Sequence, residues 1–403
     1  MNDKEQTESL PLRNVRVLDL ARVLAGPYCT MMLGDLGAEV IKVERPGLGD
    51  DTRHWGPPFA AGESAYYLCC NRNKQSLTLN LKTEAGRDLA ARLAERCDVL
   101  VENFLPGTLD GWGLSYEALS RRNPGLIYCS ITGFGQTGPR RDEPGYDIMI
   151  QALAGVMSIT GETAGPPMKV GVAISDITSG IFACNAILAA LYARERTGRG
   201  DRIDMALFDS TIAWLANVGS NYLVSGNVPQ RQGTAHPNIV PYQAFAAADT
   251  SLIIAVGNDG QFVKFCECLG RADLAGDPRF KTNALRVENR EILIPLVAAE
   301  IARRPADEWL KKLEQAGIPC GPVNTVDRVF ADPQTTAREM LIEVPHPTIG
   351  PLKLAGSPLK LASLVHPPRR PPPLLGEHTE DILANVLKLN AGEIVELRSA
   401  GVV

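Results

Sequence analysis

The stretch VRVLDLARVLAGPYCTMMLGDLGAEVIKVE, residues 15–44, decides the fold. VRVLDL (15–20) is a buried-strand pattern, GPYCTMMLGDLGA (26–38) carries apolar residues at helical spacing, and EVIKVE (39–44) reads as the next strand. The alternation continues through SLTLNL (76–81), TEAGRDLAARLAERC (83–97) with Thr83 as N-cap, DVLVENF (98–104), SYEALSRRN (115–123) and LIYCSITGF (126–134). Strands alternating with helices predict an α/β fold with a mostly parallel sheet covered by helices on both faces.

GFGQTGPRRDEPG (133–145) is a loop by composition. Helices are predicted over 146–159, 178–196 and 208–224, with the strand RIDMALF (202–208) between the last two. SGNVPQRQGTAHPNIVPY (225–242) is turn-rich and marks a domain boundary. LIIAVG (252–257) and amphipathic helices over 261–316 read as a smaller α+β unit. The expected division is 1–224 for the first part of a large domain, 225–326 for a small one, and 327–403 for a return to the large one. HPPRRPPPLLGEHT (366–379) reads as an extended polyproline segment crossing a surface.

With 22% charged residues and a net charge of -5 spread without a basic block, the 403-residue chain has no footprint for nucleic acid or an anionic membrane. Small-molecule chemistry is the class left. Nine cysteines, an odd count at irregular spacing, suit reduced thiols in a cytosol-like compartment. MNDKEQTESLPLRNV (1–15) has neither a secretory h-region nor the look of a transit peptide, and no apolar run is expected to approach about 18 residues. The expected location is cytoplasmic, or the mitochondrial matrix for a processed eukaryotic chain.

Gly133, Gly135 and Gly138 fit G-x-G-x-x-G after a strand, but the prolines that follow prevent a helix from opening, so a tight turn is expected instead of a nucleotide site. Five scattered histidines form no metal-binding pair, and Cys266 with Cys268 in a helical pattern reads as packing. Asp176, in VGVAISDITSG (170–180), has two readings. It is a plain N-cap for the helix after it, or a nucleophile kept ionised by the positive end of that helix. Its small neighbours Ala173, Ser175, Ser179 and Gly180 would let a bulky acyl group approach.

Together the landmarks ARVLAGP, VERPG, NRNKQSLTLNLKTEAG, VENFLPGTLDGWGLSYEAL, GFGQTGP, ISDITSG, ERTGRGDRIDMALFDS, GIPCGPV and PLLGEHT carry a resemblance over essentially the whole chain. It resembles the class III CoA-transferases, the family of formyl-CoA and carnitinyl-CoA transferases. GTAHPNIVPYQAF and the C-terminal tail are most similar to the branch that handles succinate and hydroxymethylglutarate. The resemblance implies that Asp176 is the nucleophile, acylated to a mixed anhydride and then an aspartyl-CoA thioester. It implies that Arg45 contacts the CoA phosphates, that Leu79, Asn80, Lys82, Asn103 and Phe104, with Leu24 and Ala25, hold CoA, and that Tyr146 and Asp147 line the reaction centre. CoA thioester is then a substrate, with no permanently bound cofactor and no metal.

Formyl-CoA transferases have a glutamine near Leu24, an arginine near Gly111 and a lysine near Pro144. Those contacts are missing here, which argues against oxalate or formate and leaves Arg22, Arg53, Arg140 or Arg141 as replacement phosphate contacts. Arg22 is also the candidate reader of a distal carboxylate. The resemblance further implies an interlocked homodimer and transfer of CoA from succinyl-CoA, or a similar short acyl-CoA, to glutarate, hydroxymethylglutarate, malate or itaconate. Alternatives are an α-methylacyl-CoA racemase-like enzyme and a non-catalytic CoA-binding protein. Racemases carry histidine where GYD places Tyr146, and a phenol of reference pKa about 10 is a poor base at neutral pH.

Overall fold

The computed structural model describes residues 10–362, 364 and 369–403. The chain forms two compact units. One comprises the described residues through Ala154, Gly171–Trp214 and Pro333–Val403; the other comprises Gly155–Val170 and Leu215–Asp332.

The first unit is built on six parallel strands: β1 (Arg16–Asp19), β2 (Glu39–Glu44), β3 (Lys74–Thr78), β4 (Val99–Glu102), β5 (Ile127–Thr132) and β6 (Arg202–Ala206). Their spatial order is 3-2-1-4-5-6. Five helices matter for the site: α1 (Ala25–Asp35), α2 (Glu84–Ala94), α3 (Asp147–Leu153), α4 (Ile174–Thr197) and α5 (Leu207–Ala213). The strands are apolar on both faces because both faces are covered. Val17, Val40, Val99 and Val101 pack with Cys29 and Leu33 of α1 and with Ala183 and Ile187 of α4. Leu18, Ile41, Leu77 and Leu100 pack on the other side with Leu89 and Leu93 of α2 and with Ile382 and Leu383 near the C-terminus. Thr83 caps α2 as expected, accepting the Gly86 N–H at 3.0 Å.

The strand order reverses between β1 and β4, and in a doubly wound sheet the crevice at the carboxyl ends of such a pair is where ligands bind. Residues 20–24 and 103–106 therefore open onto that crevice.

Several elements depart from the sequence reading. β3 runs over 74–78 instead of 76–81, because Lys74 is an interior residue: its ammonium donates to Asp19 Oδ2 (3.1 Å), the Pro27 carbonyl (2.9 Å) and Asn71 Oδ1 (2.9 Å). The helix expected over 146–159 breaks at Gly155, where φ is 88°, and the one over 208–224 breaks after Ala213, with φ 45° at Ala216. Both breaks fall where the chain leaves the first unit. Residues 155–170, 215–224 and 327–332 thus sit in the second unit instead of the large domain to which composition had assigned them. Helical periodicity carries no mark of a unit boundary inside an apolar run.

Of the proline-rich segment, residues 366–368 lie outside the described residues. From Arg369 the chain runs along the free edge of β3: Asn73 N–H donates to the Arg370 carbonyl (3.1 Å) and His378 N–H to the Ser76 carbonyl (2.9 Å). The strand edge is thereby covered. α4 is long and apolar enough, by length and composition, to cross a membrane, contrary to the sequence expectation; here its Ala183, Cys184, Ile187 and Leu191 are buried in the core. The second unit has a three-stranded antiparallel sheet (Tyr242–Ala246, Ser251–Ala255, Cys320–Pro322) and a core into which Cys266 and Cys268 pack. All nine cysteines are free thiols.

Candidate active site

α4 begins at Ile174, with Ala173 at the N-cap position making no side-chain cap. Asp176 is the third helical residue and so is not the N-cap; the helix starts four residues earlier than its apolar pattern suggested. The cap comes from another element. Asp147, the first residue of α3, accepts the Ser175 N–H at 2.8 Å and the Asp176 N–H at 3.4 Å through Oδ1, while its Oδ2 accepts from Gln151 Nε2 at 2.6 Å. This relieves Asp176 of the capping role, and among the described residues no donor reaches its carboxylate.

Burial, together with the negative charge of Asp147, pushes the Asp176 carboxyl up to about 7. The sequence reading had the helix end keeping this acid ionised. Asp147 already sits on those N–H groups, and desolvation outweighs the remaining dipole. Asp147→Asn retains an oxygen for the Ser175 N–H and removes the charge, so Asp176 titrates lower. Profiles of kcat/KM between pH 5 and 9 should show the acid limb displaced to lower pH; a limb that stays put or rises contradicts this assignment.

Asp176 opens onto a cavity of about 480 Å³ at the carboxyl ends of β1 and β4, which Leu24, Ala25, Asn103, Phe104 and Tyr146 also line. A second cavity, of about 660 Å³, is lined by Arg45, Leu79, Asn80, Lys82, Trp112 and Gly401. Arg22 and Phe104 belong to both. The Arg22 guanidinium lies 5.2 Å from the Phe104 ring centre, and Trp112 meets that ring edge-on at 5.5 Å. These side chains form the partition between the cavities.

The partition is charged. Asp51 accepts from Arg45 Nη2 at 2.5 Å and from Arg22 Nη1 at 3.4 Å, bridging the cation of the larger cavity to the cation shared by both. Arg22 Nε is buried without a partner among the described residues. An orphaned donor of that kind marks a guanidinium whose full set of acceptors is not supplied by the described residues.

The small residues around Asp176 serve packing more than access. Ser175, Ser179 and Gly180 are buried. A Cβ added at Gly180 would stand 2.6 Å from the Ala25 carbonyl oxygen, so α4 and α1 touch backbone to backbone there. A second close approach shapes the cavity rim, where a Cβ on Gly133 would come within 2.6 Å of Gly145 Cα. The two glycines let the 133–145 loop double back and deliver Tyr146 and Asp147.

Three comparisons with known proteins bear on this geometry. The family model described as CoA-transferase family III matches residues 12–379. The chain belongs to CoA-transferase family III. Succinyl-CoA:glutarate CoA-transferase of Mus musculus is 47% identical over 393 residues, covering 98% of this chain and 90% of its own. Succinate–glutarate CoA-transferase of Agrobacterium fabrum is 47% identical over 382 residues, covering 93% of this chain and 96% of its own. The crystal structure of a CAIB/BAIF family protein from Brucella suis superposes with a TM-score of 0.82 at 48% identity, covering 93% of this chain and 99% of that one.

In this family III enzyme the first cavity gathers Arg22, Leu24, Ala25, Asn103, Phe104, Tyr146 and Asp176 out of segments up to 154 positions apart in sequence. Tyr146 is 63% exposed at its rim. Asp147 does not line the cavity and reaches it through the start of α4. Three of the arginines suggested as phosphate contacts lie elsewhere. Arg53 is buried in a two-pronged pair with Glu44 (2.7 Å on each prong), stacked 3.6 Å from the Tyr67 ring centre. Arg140 and Arg141 line neither cavity and pair with Glu143 and Asp142. Trp55, Leu105 and Glu143 in the first cavity, and Trp112 and Gly401 in the second, were not singled out from sequence. No local pattern could have found Gly401: it reaches the cavity because Asn80 N–H donates to the Val402 carbonyl at 2.8 Å, across more than 300 residues.

Proposed function

We propose that this enzyme moves CoA from succinyl-CoA, or a similar short acyl-CoA, to a dicarboxylic acid of the glutarate, hydroxymethylglutarate, malate or itaconate class, with Asp176 as nucleophile. The observation that carries the reading is the Asp176 carboxyl, free of hydrogen-bond donors among the described residues, in a cavity that joins a larger one across Arg22 and Phe104. Relatives named as succinyl-CoA:glutarate transferases support the substrate class.

The larger cavity suits the nucleotide, with Arg45 and Lys82 facing its phosphates, and the smaller one suits the thioester. Asp176 carboxylate attacks the thioester carbonyl, the C–S bond breaks, and CoA leaves as thiolate, giving a mixed anhydride. Thiolate then attacks the aspartyl carbonyl, expelling the donor carboxylate and forming an aspartyl-CoA thioester. The acceptor carboxylate attacks that carbonyl and expels thiolate, and thiolate finally takes the acceptor's acyl group and regenerates Asp176. No net proton is consumed and each intermediate remains an activated acyl compound, which is why water has to be kept out. Arg22 stands where it can pair with a distal carboxylate.

The racemase alternative gains nothing from the site, since Tyr146 remains a phenol at the position concerned. We further propose a homodimer as the working form: Ile148, Met149 and Leu153 of α3 are 52%, 43% and 43% exposed, an apolar surface that a second copy would cover. Nine free thiols suit the cytoplasm or mitochondrial matrix.

Purified enzyme incubated with succinyl-CoA and single acids, with new thioesters followed by mass spectrometry, tests the substrate class. Transfer to at least one C4–C6 dicarboxylate is the expected result; transfer to monocarboxylates alone defeats it. Light scattering on the same preparation should report twice the 43.5 kDa chain mass.

A further inference from the structure

Residues 21–24, which connect β1 to α1, carry Arg22, Val23 and Leu24 to the Asp176 cavity. Their backbone is in a conformation that L-residues avoid: Val23, β-branched, has φ 71°. Such a conformation persists only when its surroundings over-determine it. Here side chains from five other places take every backbone polar group from Ala21 to Val23. Asp19 Oδ1 accepts the Ala21 N–H (3.0 Å), and Lys42 Nζ donates to the Ala21 carbonyl (3.0 Å). Asn103 grips Arg22 at both ends, accepting its N–H (2.9 Å) and donating to its carbonyl (2.7 Å). Both carboxylate oxygens of Asp50 lie 3.3 Å from the Val23 nitrogen and accept its N–H, and Cys70 Sγ is 3.8 Å from the Val23 carbonyl.

Two of those side chains form a buried ion pair. Lys42 Nζ lies 2.9 Å from Asp50 Oδ2, with their side chains 0% and 1% exposed. Burial alone would push Asp50 up, yet Lys42 holds it down to about 2, so the pair stays charged across the working pH range. A buried pair of this kind is a weak source of stability, because desolvation offsets its attraction and an apolar pair would pack as well. Its two free ends, however, both act on the strained loop.

We propose that Lys42 and Asp50 are positioning residues for CoA transfer, holding the Ala21 carbonyl and the Val23 N–H so that Arg22 and Leu24 keep their places opposite Asp176. The inference rests on reading that cavity as the reaction centre. Neither residue touches the reacting atoms in this scheme; both act through the loop.

The test replaces the pair with a neutral one, Lys42→Met with Asp50→Asn. The double variant is expected to melt near the wild-type temperature while kcat for succinyl-CoA to glutarate transfer falls about 100-fold, as small misplacements of catalytic groups do. A wild-type kcat in the folded double variant overturns the proposal. A second buried pair, Arg72 with Asp35 at 2.6 Å, contacts none of residues 21–24. Arg72→Met with Asp35→Asn should leave kcat of the folded enzyme unchanged whatever its effect on the melting temperature, separating positioning from the loss of a buried ion pair as such.

Should the Lys42 and Asp50 double variant fail to fold, Asp50→Glu serves, since it keeps the buried pair charged while carrying the carboxylate one methylene away from the Val23 N–H, with Val23→Gly added as rescue. Glycine adopts φ 71° unaided, so the added change should recover about tenfold in kcat; absence of recovery overturns the proposal. If the Asp176→Asn variant with an unaltered loop transfers CoA at the wild-type rate, it is the reading of the cavity that fails, a result independent of the loop variants.

Discussion

Asp176→Asn is expected to abolish CoA transfer, by about 10,000-fold or more, because on the proposed mechanism it removes the carboxylate that is acylated, and the cavity's other carboxylates, Asp51 and Glu143, are paired with arginines. The fold should survive the change. The asparagine amide is nearly the same shape, the cap on α4 comes from Asp147, and no hydrogen bond to the Asp176 carboxylate is lost among the described residues. Stability should move in the opposite direction to activity. In the native protein this carboxyl is pushed up to about 7, whereas in the unfolded chain it titrates in the ordinary aspartate range. The native state therefore holds the proton more tightly between about pH 4 and 7, and above pH 7 it carries the cost of a desolvated charge next to Asp147. Removing that charge should raise the melting temperature at pH 8 and change it little at pH 5. Wild-type kcat/KM should rise with pH through about 7 and then level off, since the proposed nucleophile is the ionised form of Asp176. Hydroxylamine treatment of enzyme exposed to succinyl-CoA, followed by peptide mapping, should find position 176 modified in the wild type and unmodified in the variant. Transfer by the variant at wild-type rate would remove Asp176 from the mechanism.

The second large effect is expected at a residue with no chemistry of its own. Gly180→Ala adds one methyl group where α4 meets α1, 2.6 Å from the Ala25 carbonyl oxygen, and that neighbour is backbone and cannot rotate away. One helix has to shift. Overpacking of this sort costs about 1–3 kcal/mol, read as a fall in melting temperature. The shift also has a functional consequence, because Gly180 is one turn beyond Asp176 on α4 while Ala25 lines the same cavity from α1. Separating the helices moves Asp176 relative to the loop that faces it, and a displacement approaching 1 Å is expected to lower kcat about 100-fold. Substitution at Ala183, one turn further along in the core, should affect melting without a comparable loss of turnover. If Gly180→Ala loses stability but keeps kcat, the α1–α4 contact does not set the site's geometry.

Much of this architecture is legible along the chain. Val17 and Leu18, or Val40 and Ile41, are apolar neighbours pointing to opposite faces, and such doubly apolar runs between helical patterns mean a sheet covered on both sides. Lys42 and Lys74 interrupt that pattern, the first inside EVIKVE and the second ahead of the strand expected from residue 76. They are interior only because Asp50 and Asp19 arrive from other segments to meet them. The smaller features misread from sequence share this cause. Asp176 looked like a helix cap because the true cap, Asp147, lies 29 positions away in sequence, and Ser179 and Gly180 looked like room for substrate because the backbone of α1 that fills the space is more than 150 positions away.

What the sequence determined by itself was therefore whatever periodicity and motif encode over short spans: the α/β class, the family, and Asp176 as the acid to watch. The tertiary structure alone decided the protonation of that acid, the partition of Arg22 and Phe104 between two cavities, and the strained turn at Val23. Those properties depend on burial and on charges brought together across the strand-order reversal, and burial is a property of the packed chain that no stretch of residues carries alone.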